Sequence, residues 1–443
     1  MQFNSIEFLF CFLPAFLAVY YICPERWRNA ALSLGSLFFL AFNCEGNFWW
    51  LGLVASLTLF TYLAGEGIHN GRRRGLLALA IVVLVSVLGL FRIVNGGVLL
   101  PLGLSFYSLQ MASYLIDVYR GRIPVEHGLV RYSAQILMFP KLFSGPLMPP
   151  KELQRQAWGR GYLPREFSHG VEELIFGLAL KVLLADRLGG LWNQAAVIGY
   201  ESISTPFAWM ALIAYAMRLY FDFWGYSLMA MGIGRMLGFE LPENFCAPYA
   251  AKTVSDFYRR WHITLGAWFR EYVYIPLGGS RCGMLRTVLN LAVVWLVTAL
   301  WHGTGLNYLI WAGMLFLLIV NEKLWLGKLM NRSHVVCHVY VVAAILLSWL
   351  PFAVGDFSQI ICYLGRLFAF SGAALNPTDF LVWGGRYGLL LLAGAAMATP
   401  LPVWSWHRIR GRKGTAVFLF VLFWAVIYMI ATSSQDPFVY FQY

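Results

Sequence analysis

Residues Ser255 to Arg281 read SDFYRRWHITLGAWFREYVYIPLGGSR and crowd Asp256, Arg259, Arg260, His262, Arg270 and Glu271 together, between flanks rich in Leu, Val, Phe and Trp. A second histidine, His302, closes a long apolar run at Ala299-Leu300-Trp301-His302-Gly303. Imidazole titrates near neutral pH, so either ring can take a proton from a hydroxyl and return it. A hydroxyl is a poor nucleophile until a base does this, and His302 is the best candidate for that base. Each ring can instead be a hydrogen-bonded packing residue. Arg259, Arg260 and Arg270 suit the phosphates of a charged substrate. They suit acidic lipid headgroups as well. Charge is costly inside a bilayer, so the cluster either faces a substrate or forms a loop helix at the membrane surface.

Other chemistry-bearing residues support less. Asp222 sits among aromatics in YFDFWGYS, and is either a site carboxylate or the partner of a basic neighbour. His334, Cys337 and His338 have helical metal-ligand spacing, but no further ligand type lies near them, and no metal is expected. The seven cysteines are scattered without a C-x-x-C pair and read as buried apolar thiols. Gly232, Gly234 and Gly238 follow no strand, so they read as close helix packing rather than a phosphate loop. No cleavable leader is evident at Met1 to Cys23.

These residues need elements to hold them. Thr253 and Asp256 have capping-box spacing, which predicts a helix starting near Thr253. On it Asp256 meets Arg260 one turn later, and Arg259 and His262, three apart, share a face. Pro276, Gly278 and Gly279 stop regular structure.

The chain has 443 residues, 60% hydrophobic and only 12% charged. Soluble domains average about 25% charged. Many apolar runs approach the ~20 residues that cross a bilayer, so the chain is expected to be a polytopic helical membrane protein. Short alternating segments, the mark of a β-barrel, are absent. The formal net charge of +12 sits in short loops between apolar runs. That is the positive-inside pattern, not a nucleic-acid face.

Phe3–Ile22 is a first span, and Arg26 and Arg28 place the following loop in the cytoplasm and the N-terminus outside. Ala31–Phe42, Phe48–Ala64, Leu76–Phe91 and Val98–Ile116 then alternate between basic loops at Arg72–Arg74 and Arg120–Arg131 and nearly uncharged turns at Asn43–Asn47 and Asn95–Gly97. Ile136–Pro150 is apolar but broken by Pro140, Gly145, Pro146, Pro149 and Pro150. It is either a re-entrant segment buried in protein or a surface loop. Later spans cover Val171–Leu188, Pro206–Phe223, Leu285–Leu300, Asn307–Val320, His338–Trp349, Gly385–Thr399 and Val417–Ile430. No soluble domain, linker or repeat interrupts them, so residues 1–443 are expected to form a single membrane-embedded domain.

The sequence resembles the membrane-bound O-acyltransferases, in particular the bacterial branch that O-acetylates alginate and exopolysaccharides. The matching stretches are PLGLSFYSLQMASYLIDVYRG (Pro101–Gly121), FPKLFSGPLMPP (Phe139–Pro150), YFDFWGYSLMAMGIGRMLGFELPENFCAPY (Tyr220–Tyr249), the Ser255–Arg281 stretch, ALWHG (Ala299–Gly303) and the C-terminal PFVYFQY. Trp224, Leu228 and Glu271 depart from the family pattern, as does Pro351-Phe352-Ala353-Val354, which lacks an expected basic residue. The resemblance implies an all-α fold of roughly 11–13 membrane helices with re-entrant segments and a central funnel. It implies His302 as the catalytic residue deep in the funnel and His262 toward the cytoplasmic mouth. Asp256, Arg259, Arg260, Arg270 and Trp301 are then substrate-binding candidates. The implied donor is acetyl-CoA or another acyl thioester, with no bound cofactor. The implied partners are a periplasmic or extracellular SGNH-type acetyltransferase, a polysaccharide acceptor and the lipid bilayer of a bacterial inner membrane. D-alanyl transfer to teichoic acid is the alternative within the family, and a transporter or polymer channel the alternative outside it.

Overall fold

Within a bilayer a helix satisfies every backbone N–H and C=O without water, which is why runs of Leu, Val and Phe of this length fold as helices. The structure is a computed structural model and describes residues 1–44, 46–93, 101–142, 145–158, 163–327, 333–368 and 374–432. Among the described residues, seven helices are long and apolar enough to span a membrane: Trp49–Gly71, Arg74–Arg92, Met284–His302, Leu306–Leu326, His334–Ala353, Asp379–Met397 and Lys413–Thr432. A shorter apolar helix covers Glu7–Ile22. The chain is an all-α, multi-pass membrane protein. Some of its apolar side chains face outward, such as Leu389 at 83% and Leu392 at 70% exposed, a surface suited to lipid.

The expected spans at Pro206–Phe223 and the glycine-rich run after it merge into one helix, Thr205–Met236. The Val98–Ile116 span yields a helix over Leu104–Tyr119. Residues 98–100, the Asn95–Gly97 turn, Phe143 and Ser144, the basic positions Lys328 and Arg332, and the C-terminal PFVYFQY lie outside the described residues.

The chain forms two compact units. The first comprises Met1–Leu178, Tyr226–Pro242 and 419–432. The proline-broken segment lies inside it. Short helices cover Leu129–Leu137 and Phe139–Leu142, with irregular backbone over residues 145–149 before the Pro150–Gln156 helix. Phe139 is fully buried, its ring 5.4 Å from Phe12, 5.3 Å from Phe16 and 5.4 Å from Phe39. Its N–H donates to Ser36 Oγ at 3.0 Å, and Gln110 Nε2 donates to Met148 O at 3.0 Å. Side chains thus replace the ladder that the prolines interrupt. The segment's described residues are buried apart from Pro149, so it is not a surface loop. Gly170 and Gly232 bring two helices together, since a Cβ on Gly232 would lie 2.4 Å from Gly170 O. This is the close packing expected of the glycines.

The second unit comprises Ala179–Gly225 and Glu243–Phe418. Asp222 has a structural partner there: Lys181 Nζ lies 2.8 Å from Asp222 Oδ1 and 2.6 Å from Asp186 Oδ1. Such a buried pair must stay together, because removing one member strands the other charge. The cysteines depart from expectation. Cys44 and Cys337 are buried, but Cys11, Cys246 and Cys282 are exposed, on outward helix faces and turns.

Candidate active site

Glu322 begins the local architecture of the second unit. Its carboxylate accepts the N–H of Val254 at 2.5 Å and of Ser255 at 3.2 Å, and the Ser255 hydroxyl at 3.3 Å. Thr253 Oγ1 accepts the N–H of Asp256 at 2.9 Å. Together they satisfy the first N–H groups of the Val254–Arg260 helix, which would otherwise lack partners. The helix starts where the Thr253–Asp256 spacing predicts. Arg260 Nε meets Asp256 Oδ2 at 3.2 Å, also as predicted, with side chains 35% and 27% exposed.

The helix then stops at Arg260, and the reason lies in residues 243–247. Trp261 bridges Phe245 in antiparallel fashion. Cys246 N–H donates to Arg260 O and Ile263 N–H to Asn244 O, each at 3.0 Å. Between these bonds His262 takes a left-handed backbone, φ 47°, and leads into a second helix, Ile263–Phe269. A non-glycine residue there costs roughly 1–2 kcal/mol, and such conformations cluster at functional sites. Arg259 and His262 therefore do not share a helical face: the bridge ends the helix before His262.

His262 is 4% exposed. Its Nδ1 lies 3.4 Å from Asn244 Oδ1, which also accepts the Thr264 hydroxyl at 2.6 Å. The ring meets Phe223 edge-on, centroids 4.6 Å apart. His262 lies outside the spanning helices, and burial pushes its imidazole pKa down to about 3. The ring is neutral at pH 7 and can act as a hydrogen-bonding base, not as a cation.

His302 is the last residue of the Met284–His302 helix and is 6% exposed. Aromatic rings enclose it. Trp301 and Trp311 stand 4.9 Å away edge-on, Phe352 stands 5.5 Å away edge-on, and Tyr308 lies nearly parallel at 6.5 Å. Gly303 permits this, because a Cβ there would lie 2.3 Å from the Tyr308 ring. Trp301 connects the two histidines, with its ring 6.5 Å from His262 and 4.9 Å from His302.

The structure therefore brings His302, His262 and Trp301 into one buried aromatic cluster. It does not bring the charged candidates there. Arg259 and Arg270 are exposed, and Asp256 and Arg260 pair with each other at the outer side of their helix. Glu322, Asn244, Tyr308, Trp311 and Phe352 were missed in the sequence. Glu322 carried a signal, a carboxylate just beyond the Asn307–Val320 apolar run.

A family model for the membrane-bound O-acyltransferase family matches residues 120–345. A probable alginate O-acetylase from Pseudomonas putida is 32% identical over all of both chains. A peptidoglycan O-acetyltransferase from Helicobacter pylori is 34% identical over 70% of this chain and 68% of its own. A teichoic acid D-alanyltransferase from Lacticaseibacillus rhamnosus is more distant, 24% identical over 71% of this chain and 84% of its own.

Proposed function

The chain belongs to the membrane-bound O-acyltransferase family, and we propose that it passes an acetyl group from a cytoplasmic thioester to an outer acceptor, for O-acetylation of an extracytoplasmic polysaccharide of the alginate type. It is a membrane acyltransferase; the donor, the acceptor and the side of each are the proposal. The observation that carries it is the meeting of His302, at the end of a span, with His262 across Trp301.

In this reading His302 takes the proton of the acceptor hydroxyl as its oxygen attacks the thioester carbonyl. The carbonyl carbon gains the C–O bond and the C–S bond breaks. The proton passes from His302 to the departing thiolate, so the imidazole ends neutral, as it began. The aromatic wall keeps water from competing for the acyl group. A funnel through the protein, as the family resemblance implies, lets the acyl group cross without the donor. His262 serves donor use from its fixed position. Arg259 and Arg270, both exposed, are available to the phosphates of acetyl-CoA; Arg260 is engaged by Asp256.

The reading further places the protein in the inner membrane of a bacterium with its N-terminus outside, working as one membrane domain. An SGNH-type acetyltransferase beyond the membrane would complete delivery to the polymer. The 24% identity to a D-alanyltransferase keeps D-alanyl transfer as the second reading. Purified protein in nanodiscs, given acetyl-labelled CoA or D-alanyl-loaded carrier protein, separates the two. Label should leave acetyl-CoA in the wild type and not in a folded His302→Ala variant. Turnover of the D-alanyl carrier alone would overturn the acetyl assignment, and undiminished turnover by His302→Ala would overturn the role of that residue.

A further inference from the structure

The first unit contains an open cleft of about 720 Å3, lined by none of the residues assigned above. Its walls are the loop after the Leu104–Tyr119 helix, the start of the Leu129–Leu137 helix and the Pro150–Gln156 helix. Arg122, Arg131, Lys151 and Arg155 line it, against one lining carboxylate, Glu126. Glu126 is 5% exposed and fixes Arg131 at 3.0 Å. Arg131 in turn lies 3.4 Å from the ring centre of Trp158, which is 62% exposed. Asp117, 3.6 Å from Arg122, and Glu152, paired with Arg155, offset part of the remaining charge. His127 at the rim is held by Glu66 at 2.8 Å. A positive surplus is left, and Lys151 makes no ion pair among the described residues. Lys151 and Arg155 are exposed and one helical turn apart, so they present two cations on one face.

The rim identifies the ligand class. Leu129 and Val130, next to Arg131, are 42% and 52% exposed. A surplus cation and an exposed indole beside bare apolar side chains match a phosphate headgroup with acyl chains attached. A small soluble anion would leave that apolar rim uncovered. The basic loops that form the cleft are those that charge asymmetry assigns to the cytoplasmic face.

We propose that this cleft binds the phosphate headgroup of an anionic phospholipid, with Lys151 on its oxygens, Arg122 and Arg155, 48% and 71% exposed in their pairs with Asp117 and Glu152, turning toward it, Trp158 beside the glycerol and the acyl chains over Leu129 and Val130.

The test uses the full-length protein in phosphatidylcholine nanodiscs, titrated with dioctanoyl phosphatidylglycerol while thermal unfolding is followed. A saturable rise in melting temperature is expected, with none from dioctanoyl phosphatidylcholine. Lys151→Gln with Arg155→Gln should weaken the apparent affinity roughly 30-fold, the effect of two surface cations. Lys151→Arg with Arg155→Lys should restore it. Should the glutamine pair reduce folded yield, Lys151→Gln alone carries the same test with a roughly fivefold loss. Unchanged affinity in these variants would overturn the site. Equal protection by glycerol phosphate or inorganic phosphate at the same concentration would overturn the lipid assignment in favour of a soluble phosphate ligand.

Discussion

The aromatic cluster around His262 and His302 and the cleft between Arg122 and Trp158 are built to opposite rules. In the cluster the two imidazoles are 4% and 6% exposed; rings surround His302, and His262 has Phe223, Trp301 and the Asn244 amide beside it. In the cleft Lys151 and Arg155 are open to solvent, and the aromatic is itself 62% exposed. The cluster is set by backbone: a β-bridge, a left-handed His262, and a glycine after His302. The cleft is set by side-chain ion pairs such as Arg131 with Glu126. Proton transfer needs a fixed ring and excluded water, because electrostatic effects grow as the local dielectric falls. Anion capture needs accessible charge, and tolerates side-chain freedom. Charge density along the chain is therefore a guide to exposed cations and a poor guide to where the buried imidazoles gather.

The largest effect expected is at His302. If the cluster is the reacting centre, His302→Ala should lower transfer by the ~10²–10⁴-fold typical of a lost general base, while donor binding persists. Transfer and binding measured on the same folded protein check this. Near-normal turnover would make the cluster a packing feature only, and the contrast with the cleft would collapse.

The next effect concerns pH. Folded His262 sits at about 3 against 6.5 unfolded. Above pH 6.5 neither state binds the proton, and stability is unaffected. As pH falls through 6.5 toward 3 the unfolded chain takes up a proton that the folded chain refuses. Stability should then fall, by about 2 kcal/mol at pH 5. His262→Asn should flatten that part of the profile. Melting temperatures at pH 7.5 and 5 for both proteins decide it; parallel profiles would mean that the ring is solvated.

Glu322→Ala removes the acceptor for the Val254 and Ser255 N–H groups. Losing buried hydrogen-bond partners should cost about 1–3 kcal/mol. The loss should appear in denaturant or thermal unfolding, and transfer should fall along with it, because the start of the His262 segment loosens. Wild-type stability would show that water replaces the carboxylate.

The smallest effect belongs to the most conspicuous charges. Asp256→Ala breaks a pair whose members are 27% and 35% exposed, so the loss should stay under about 1 kcal/mol. A larger drop in melting temperature would place this pair with the cluster instead of with the surface.

Much of this architecture was legible in advance because it rests on short-range rules. Apolar run length and basic loops determined an all-α, multi-pass membrane protein. Thr253 and Asp256 marked a helix start, and Asp256 and Arg260 an ion pair, because both depend only on spacing along one helix. Gly170 and Gly232 show the limit: the glycine run announced close packing, but not its partner helix.

What spacing could not decide was where His262 points. Three residues after Arg259, it reads as a helical neighbour, yet Asn244, Phe245 and Cys246 end the helix between them through bonds spanning some 14 to 19 positions of chain. The rings around His302 come from Trp301, Tyr308, Trp311 and Phe352, on three different helices. The sequence by itself determined which residues could move a proton and which segments would be helical. Only the tertiary structure decided that His262 and His302 share one aromatic cluster while Arg259 and Arg270, on either side of His262 in sequence, face outward, because burial and ring contacts depend on which helices pack together, and no local period encodes that.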